Sequence, residues 1–391
     1  MGIFHIVGRR IAGIGIGVLS LAAAVLLLWM SPSVAKGVLQ GLGLCAQSII
    51  PSLFVFMILA VFLSRCAAGK VLSILFYPVT RWVFRLDPRL GSVVAMSFVG
   101  GYPVGASLIS DLVRRGEVSE NSAAIMMCFC CNAGPAFVIT AVGVQFFGSA
   151  KFGLVLLVSH MLASLLMGWV LSFRQPKPKA SRRGKEEPSL GYSQAFVEAV
   201  ASASSSILMI CAYVVLFSAV LALLSDSGIL PGAAAALSMA TGLEESFFTS
   251  VLGGLLEVTT GCAALVQAKV GSPLVLASFF LSFSGISIHM QIRHCFRGLR
   301  VSLRPFFISR LAGALLSAGI TWGLLQLFPQ AVDAGLYYYY PPTPGMNVRS
   351  YCAMACLVIL CSLFLMSISA GICAISSKLE KRRGEKNRSA A

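Results

Sequence analysis

The sequence predicts an all-α polytopic membrane protein with about eight spanning helices, two re-entrant helical hairpins and an inverted-topology repeat. The first reason is composition: 57% of the 391 residues are hydrophobic, 11% are charged and the mean hydropathy is +0.87. Soluble domains carry about 25% charged residues. The other reasons are the uneven distribution of lysine and arginine, and two apolar stretches interrupted by helix-breaking residues.

Apolar stretches of about 20 residues are long enough to cross a bilayer as helices. The first stretch exceeds the roughly 7–15-residue core of a signal peptide, and Ser31 and Pro32 offer no clear cleavage pattern, so we expect a retained helix. The predicted crossings are 11–30, 39–63, 120–147, 151–173, 196–224, 272–290, 305–328 and 349–376.

Lysine and arginine assign the sides of the membrane. Segments 64–89, 174–190 and 293–304 are basic, whereas 225–246 and 329–347 contain neither residue. Basic loops stay on the cytoplasmic side, so we expect both termini in the cytoplasm. The net charge of +16 has the same origin, so we expect the lipid bilayer as a partner and no nucleic acid.

Two apolar stretches remain once eight crossings are assigned. Stretch 90–113 has arginines at both ends, so it should enter and leave by one side. Stretch 247–268 lies on the opposite side, after Glu244 and Glu245. We expect two re-entrant hairpins; the alternative is one additional crossing for each, which preserves the parity of the chain.

The order crossing, hairpin, crossing, crossing occurs twice and starts from opposite sides. This predicts an inverted repeat, the plan of many secondary transporters. The expected divisions are an N-terminal helix (1–38), a first repeat (39–173), a cytoplasmic basic linker (174–190), a second repeat (191–328), and a C-terminal helix with a basic tail (329–391).

Three prolines predict helix starts inside the membrane: Pro51, Pro103 and Pro135 each precede an apolar run, and proline suits the first turn of a helix. The free N–H groups and partial positive charge of such starts bind carboxylate or phosphate. Asn132 either caps the half-helix at Pro135 or contacts substrate, and Tyr102 either stacks on an aromatic ring or fills the hairpin. The candidate substrate-binding residues in this half are Ser52, Gly101, Tyr102, Pro103, Gly105, Asn132 and Gly134.

The second half offers side-chain oxygens instead. Glu257 lies in the middle of its hairpin, where an ionisable group is a functional candidate. We expect it to carry a coupling proton or bind Na⁺, unless the hairpin is shallow and Glu257 is interfacial. Gln291 and His289 suit a solvated position or a substrate contact equally, and His160 suits packing. The further candidates for substrate binding are Thr260, Ser284 and Gly285.

Hydrolytic and redox chemistry have no sequence motif here. The CFCC cluster (128–131) lacks the spaced pairs of a zinc site. HExxH, P-loop and GxSxG motifs are absent from the sequence. We therefore expect no enzyme, no catalytic residues, no metal and no cofactor.

In this order, GYPVGA, NAGPAF, GLLEVTTG and SFSGISIHMQ resemble the YlbJ (SpoVV) family of sporulation integral membrane proteins. That family is part of the nucleoside-recognition (Gate) group, which shares its repeat plan with concentrative nucleoside transporters. The resemblance covers roughly 40–330, and Val55 departs from it where the family pattern has a second proline.

The resemblance implies endospore formation, location in the bacterial cytoplasmic membrane that becomes the mother-cell-derived outer forespore membrane, and movement of dipicolinate, a small aromatic dicarboxylate. We therefore expect a secondary-type transporter of a small organic anion that works by alternating access. A nucleoside-type transporter and a non-transporting sporulation scaffold are the alternatives. Transport direction, coupling ion and oligomeric state have no signal in the sequence.

Overall fold

The computed structural model describes residues 24–66, 68–77, 79–173, 191–266 and 272–327, with 17, 18 and 21. The regular elements within these residues are all helical. The linker 174–190, the helix 349–376, the basic tail and most of the first predicted crossing lie outside them. The α-helices are α1 (Ser31–Leu44), α2 (Ile50–Arg65), α3 (Ala68–Leu75), α4 (Gly91–Gly100), α5 (Tyr102–Arg114), α6 (Glu120–Cys130), α7 (Ala150–Ser172), α8 (Tyr192–Asp226), α9 (Ile229–Thr241), α10 (Glu245–Leu256), α11 (Val258–Leu265), α12 (Pro273–Phe283), α13 (Gly285–Cys295) and α14 (Arg304–Leu327).

Three π-helical turns and one 3₁₀ turn complete the described elements. They are π1 (Cys45–Ile49), π2 (Val79–Val83), π3 (Phe137–Phe146) and the 3₁₀ turn Pro88–Leu90. The segment 225–246, which the sequence suggested only as a loop, contains α9.

Five helical segments of the described chain are long and apolar enough to cross a membrane, and each overlaps a predicted crossing. The predicted crossing 120–147 is not one continuous helix. Helix α6 ends at Cys130, residues 131–134 are not helical, and helical structure resumes at Pro135. The exact number of crossings stays a prediction. The five segments are Ser31–Arg65, Ala150–Ser172, Tyr192–Asp226, Pro273–Cys295 and Arg304–Leu327.

The segment Pro273–Cys295 is the central one. In its most apolar window 78% of the residues are buried, against 28% to 39% in the other four. The outer segments expose large apolar side chains, among them Trp169, Leu208 and Trp322. Exposed apolar surface on this scale suits contact with lipid rather than water.

Pro51 does not begin a separate half-helix, which corrects the expectation from the sequence. Helix α1, π1 and α2 follow one another without interruption, with Pro51 in the first turn of α2. Proline has no N–H to donate to the carbonyl four residues earlier, which is that of Gln47. The side-chain amide of Gln145 donates to this carbonyl at 3.0 Å, while the N–H of Ile50, just before the proline, donates five residues back to the carbonyl of Cys45 in π1.

The chain reverses direction at Gly101 and at Glu257. A Cβ atom on Gly105 would lie 3.2 Å from the Cβ of Ser97, and one on Gly261 would lie 2.1 Å from the Cα of Gly254. Residues shortly before each break therefore lie beside residues shortly after it. Helices α4 and α5 form one helical hairpin and α10 and α11 form another, within the predicted ranges 90–113 and 247–268.

Helices α5 and α13 end at the same end of the molecule. The guanidinium of Arg114 on α5 donates to the carbonyl of Cys295 on α13 at 2.9 Å. Arg65, at the end of α2, pairs there with Asp111 and with Glu198 of α8. We call this region, defined by Arg65, Asp111, Arg114, Glu198 and Cys295, the basic end.

Candidate functional site

Each hairpin tip contacts a helix break in its own half of the chain. A Cβ atom on Gly134 would lie 3.4 Å from the Cα of Gly101, at the tip between α4 and α5. A Cβ atom on Gly285 would lie 3.2 Å from the backbone nitrogen of Val258, at the tip between α10 and α11. Glycine is needed at Gly134 and Gly285 because backbone approaches backbone there.

Two polar contacts join the first pair of breaks to the second. The hydroxyl of Tyr102, at the start of α5, donates to the carbonyl of Leu281 on α12. His160 on α7 accepts a hydrogen bond from the N–H of Ala133 on its Nε2 at 3.0 Å. Its Nδ1 lies 2.6 Å from the hydroxyl oxygen of Ser282. In a neutral imidazole the nitrogen that accepts carries no hydrogen, so Nδ1 donates to Ser282.

The carbonyl end of α6 is covered by two side chains. Arg310 on α14 is 3% exposed and donates from one guanidinium nitrogen to the carbonyl of Cys131 at 2.6 Å and from the other to that of Cys128. Asn132 donates to the carbonyl of Phe129 at 2.6 Å. Both side chains satisfy carbonyl groups at or just beyond the end of the helix, where its dipole is negative.

Arg310 is the residue that sequence reasoning missed. The signal was present, because an arginine in the apolar stretch 305–328 is costly in a membrane unless it is paired or bound to carbonyl oxygens. The CFCC cluster takes part through the backbone carbonyls of Cys128 and Cys131 rather than through thiol groups.

A cavity lies at the two hairpin tips. Of the residues predicted to bind substrate or to couple transport, Gly101, Tyr102, Pro103, Gly134 and Glu257 line it. The other lining residues are Ile49, Leu53, Gly100, Phe137, Ile210, Val214, Val258, Thr259 and Ile288. A small number of polar groups in a mostly apolar wall is the composition of small-molecule sites.

The remaining candidates do not line the cavity. Ser52 donates to the carbonyl of Ser48 within its own helix. A Cβ atom on Gly105 would lie 2.2 Å from the carbonyl oxygen of Cys130, so this glycine serves close packing of α5 on α6. Ser284, with φ 77°, and Gly285, with φ 62°, form the break between α12 and α13.

Asn132 does not line the cavity either. Its carbonyl oxygen accepts a hydrogen bond from Ser164 at 2.6 Å, while its amide binds the end of α6. The side chain is thus directed to the helix before it, rather than to the half-helix at Pro135.

The two hairpin tips differ in how their second helix is capped. Glu257 is fully buried, and its Oε2 accepts from the N–H of Thr260 at 2.6 Å at the start of α11. At the corresponding place in the first hairpin, Gly101 has no side chain and no other side chain caps α5. The positive end of α11 therefore has its own carboxylate, whereas that of α5 faces the cavity uncapped.

The second carboxylate oxygen of Glu257 lacks a hydrogen-bond partner among the described residues. This atom, Oε1, is also buried. Burial of an unpaired carboxylate oxygen costs free energy, so this atom is suited to bind a proton, a cation or a ligand donor. The described residues contribute one carboxylate to the cavity wall, Glu257, and no lysine or arginine.

The chain is similar to the sporulation integral membrane protein YlbJ of Bacillus subtilis (strain 168). The two are 28% identical over 306 residues, a match that covers 71% of this chain and 74% of the relative. This finding confirms the relationship to YlbJ predicted from the motifs, while the wider nucleoside-recognition group stays a prediction. No family model matches the chain, and no solved structure matches it.

Proposed function

We propose that this protein is a secondary-type transporter of a small organic anion, which binds at the cavity between the two hairpin tips. The observation that carries the proposal is the uncapped start of α5 at this cavity. The first three N–H positions of a helix have no partner within the helix, and one of them is Pro103, which has no N–H. The N–H groups of Tyr102 and Val104 remain to bind a carboxylate.

The ends of α6 and α12 and the start of α11 are matched, whereas the starts of π3 and α13, like that of α5, have no side-chain cap. Arg310 and Asn132 bind carbonyl groups at the end of α6, and Tyr102 binds the carbonyl of Leu281 in the last turn of α12. Glu257 caps α11. The partial positive charge at the uncapped start of α5 favours an anion, and the uncapped start of π3 beside Gly134 lies at the same cavity.

Glu257 sets a condition on anion binding. A substrate carboxylate beside an ionised Glu257 would be repelled strongly in a poorly hydrated cavity. A proton or Na⁺ on the unpartnered Oε1 removes this repulsion, and a proton there also donates a hydrogen bond to the substrate. We therefore propose that Glu257 couples anion binding to a proton or to Na⁺.

The arrangement of elements supports an inverted repeat and alternating access. Each half contains a long helix (α2; α8), a hairpin (α4–α5; α10–α11), a broken helix (α6–π3; α12–α13) and another long helix (α7; α14). Helix α5 of the first half ends beside α13 of the second, and α11 packs against π3. We propose that the hairpins are re-entrant and that the basic end is cytoplasmic.

The relative's name and the sequence motifs support a role in sporulation, with dipicolinate as the transported anion and the outer forespore membrane as the location. The side chains of Tyr102 and Phe137 on the cavity wall offer flat apolar surface to a small aromatic dicarboxylate.

A nucleoside-type substrate is the second candidate. The observation that favours it is the presence of Glu257 and Thr259 on the cavity wall, because paired polar side chains suit a neutral ligand with hydroxyl groups. Such a ligand would need no coupling cation to offset the charge of Glu257.

The test is uptake of radiolabelled dipicolinate by proteoliposomes, with and without a proton or Na⁺ gradient. We expect saturable uptake that is lost in Gly101→Leu and retained in Leu208→Ala, a change on the exposed surface of α8. If nucleosides are taken up and dipicolinate is not, the proposed substrate is wrong and a nucleoside takes its place. Absence of both fluxes from folded protein would overturn the transporter and favour the scaffold.

A further inference from the structure

Helix α13 carries buried polar groups that the cavity does not use. Gln291 is 0% exposed, and neither its amide nitrogen nor its carbonyl oxygen has a partner among the described residues. Ser287, one helical turn earlier, is equally buried, and its hydroxyl is also unpartnered. Unsatisfied buried groups of this kind cost free energy, so their presence calls for a reason outside the packing seen here.

These groups lie between the cavity and the basic end. Ile288 lines the cavity, and the carbonyl of Cys295 accepts from Arg114 at the basic end. Gln291 lies about 4.5 Å along the helix axis beyond Ile288 and about 6 Å before Cys295. Residues 288, 291 and 295 follow one another at spacings of three and four, so they lie on one face of α13.

The opposite face of α13 carries His289, whose Nε2 is also buried and has no hydrogen-bond partner among the described residues. His289 lies against the rings of Phe283, Phe306 and Phe307, with ring centroids 5.3 to 5.5 Å apart. The face that carries Ile288 and Gln291 is the one whose residues extend from the cavity wall to Cys295 at the basic end.

The ion pairs of the basic end lie at the far end of this face, and one of them, between Arg65 and Glu198, joins the two halves. Arg65 on α2 is 2.7 Å from a carboxylate oxygen of Glu198 on α8, and 3.6 Å from one of Asp111 on α5. Asp111 also pairs with Arg114 at 3.3 Å. These side chains are about one-quarter to one-half exposed, so water reaches them and the pairs exchange readily with solvent.

We propose that Ser287 and Gln291 line the path of a small carboxylate between the central cavity and the basic end, and that Arg65, Asp111 and Glu198 close the mouth of this path. When Arg65 separates from Glu198, the guanidinium attracts the anion and water satisfies the amide of Gln291. The identity of the passing molecule rests on the proposed function, whereas the path and its closure do not.

The test is the reaction of introduced cysteines with a membrane-impermeant, anionic thiosulfonate, applied to either face of membrane vesicles. Ser287→Cys and Gln291→Cys are made in the full chain with its native cysteines replaced. Thr321→Cys on α14 is the matched control, because Thr321 is equally buried but hydrogen-bonded to Ser278. We expect slow labelling at 287 and 291, and none at 321.

The second part of the experiment removes the ion pair between Arg65 and Glu198. Addition of Arg65→Gln should speed labelling at 287 and 291 about fivefold, as expected for loss of an ion pair worth about 1 kcal/mol. Glu117→Gln, which removes a pair with Arg115 inside the first half, should leave the rate unchanged. Arg65→Lys, which keeps a positive charge facing both Glu198 and Asp111, should keep labelling slow.

Equal labelling at 321 and 291, or no effect of Arg65→Gln, would overturn the path. Hydrogen exchange of the peptide 285–295 with native cysteines retained gives an independent readout, and we expect faster exchange in Arg65→Gln. Gated labelling without dipicolinate uptake would overturn the proposed substrate alone. Uptake without gated labelling would overturn the path alone.

Discussion

The Nδ1 atom of His160 lies 2.6 Å from the hydroxyl oxygen of Ser282, and this contact links helix breaks from the two halves of the chain. The other ring nitrogen accepts from Ala133 at 3.0 Å. A residue that looked like a packed histidine in the sequence therefore joins the backbone of the first break to a side chain at the second.

Replacement of His160 tests this link. His160→Phe removes both hydrogen bonds from a buried site, so we expect a lower free energy of unfolding by about 1–3 kcal/mol, and weaker dipicolinate uptake. His160→Gln, which keeps a donor and an acceptor, should recover part of the loss. Thermal unfolding in detergent measures stability, with Ser159→Ala as control because the Ser159 hydroxyl has no partner among the described residues. Equal stability of His160→Phe and wild type would contradict the prediction.

Gly101 tests the geometry of the first hairpin tip. Its φ of 86° and ψ of 178° belong to a region open essentially to glycine alone, so Gly101→Ala should destabilise the protein by about 1–3 kcal/mol. A Cβ there would lie 3.6 Å from the nitrogen of Gly134, an ordinary contact, so strain and not collision sets the cost. Gly232→Ala in α9, where a Cβ meets open space, should be neutral or stabilising. The midpoints of thermal unfolding of the two variants measure the difference. A Gly101→Ala variant as stable as the wild type would refute the prediction that alanine is strained at this position.

Arg310 tests the charge balance at the end of α6. Arg310→Met leaves the carbonyls of Cys128 and Cys131 without their donors, and we expect a loss of about 2–3 kcal/mol in stability. Arg310→Lys keeps the charge but not the two-pronged geometry, so it should fall between Met and wild type. Arg304→Met, at an exposed position of the same helix, is the control. Unchanged melting of Arg310→Met would show that water or another group replaces the guanidinium.

Glu257 tests coupling. In Glu257→Gln the side-chain oxygen still accepts from Thr260, so the start of α11 keeps its cap, but the site no longer gains or loses charge. We expect dipicolinate uptake to persist at a reduced rate and to lose its response to the proton or Na⁺ gradient. Uptake with and without each gradient measures this response. The control is Glu244→Gln, at the exposed start of α10. A retained gradient response in Glu257→Gln would assign coupling to another group.

Local signals were sufficient for the breaks in the chain. Glycine and proline act within a few residues, so Gly101 and Pro103 predicted the start of α5, and Pro135 predicted a new helical turn after 131–134. Long apolar runs predicted five segments that the structure shows as long, apolar helices. The same local reasoning was wrong at Pro51, where α1, π1 and α2 follow one another without interruption.

The sequence by itself determined that this chain is helical and apolar enough for a membrane, and where its helices stop, because length, hydropathy and backbone geometry are local properties. Tertiary structure alone decided which helix ends are capped. Arg310 binds the carbonyl of Cys131, which lies 179 residues earlier in the chain. His160 binds the hydroxyl of Ser282, which lies 122 residues later. Such partners are set by packing between distant segments, so only the tertiary structure shows which helix starts, that of α5 among them, are left without a cap.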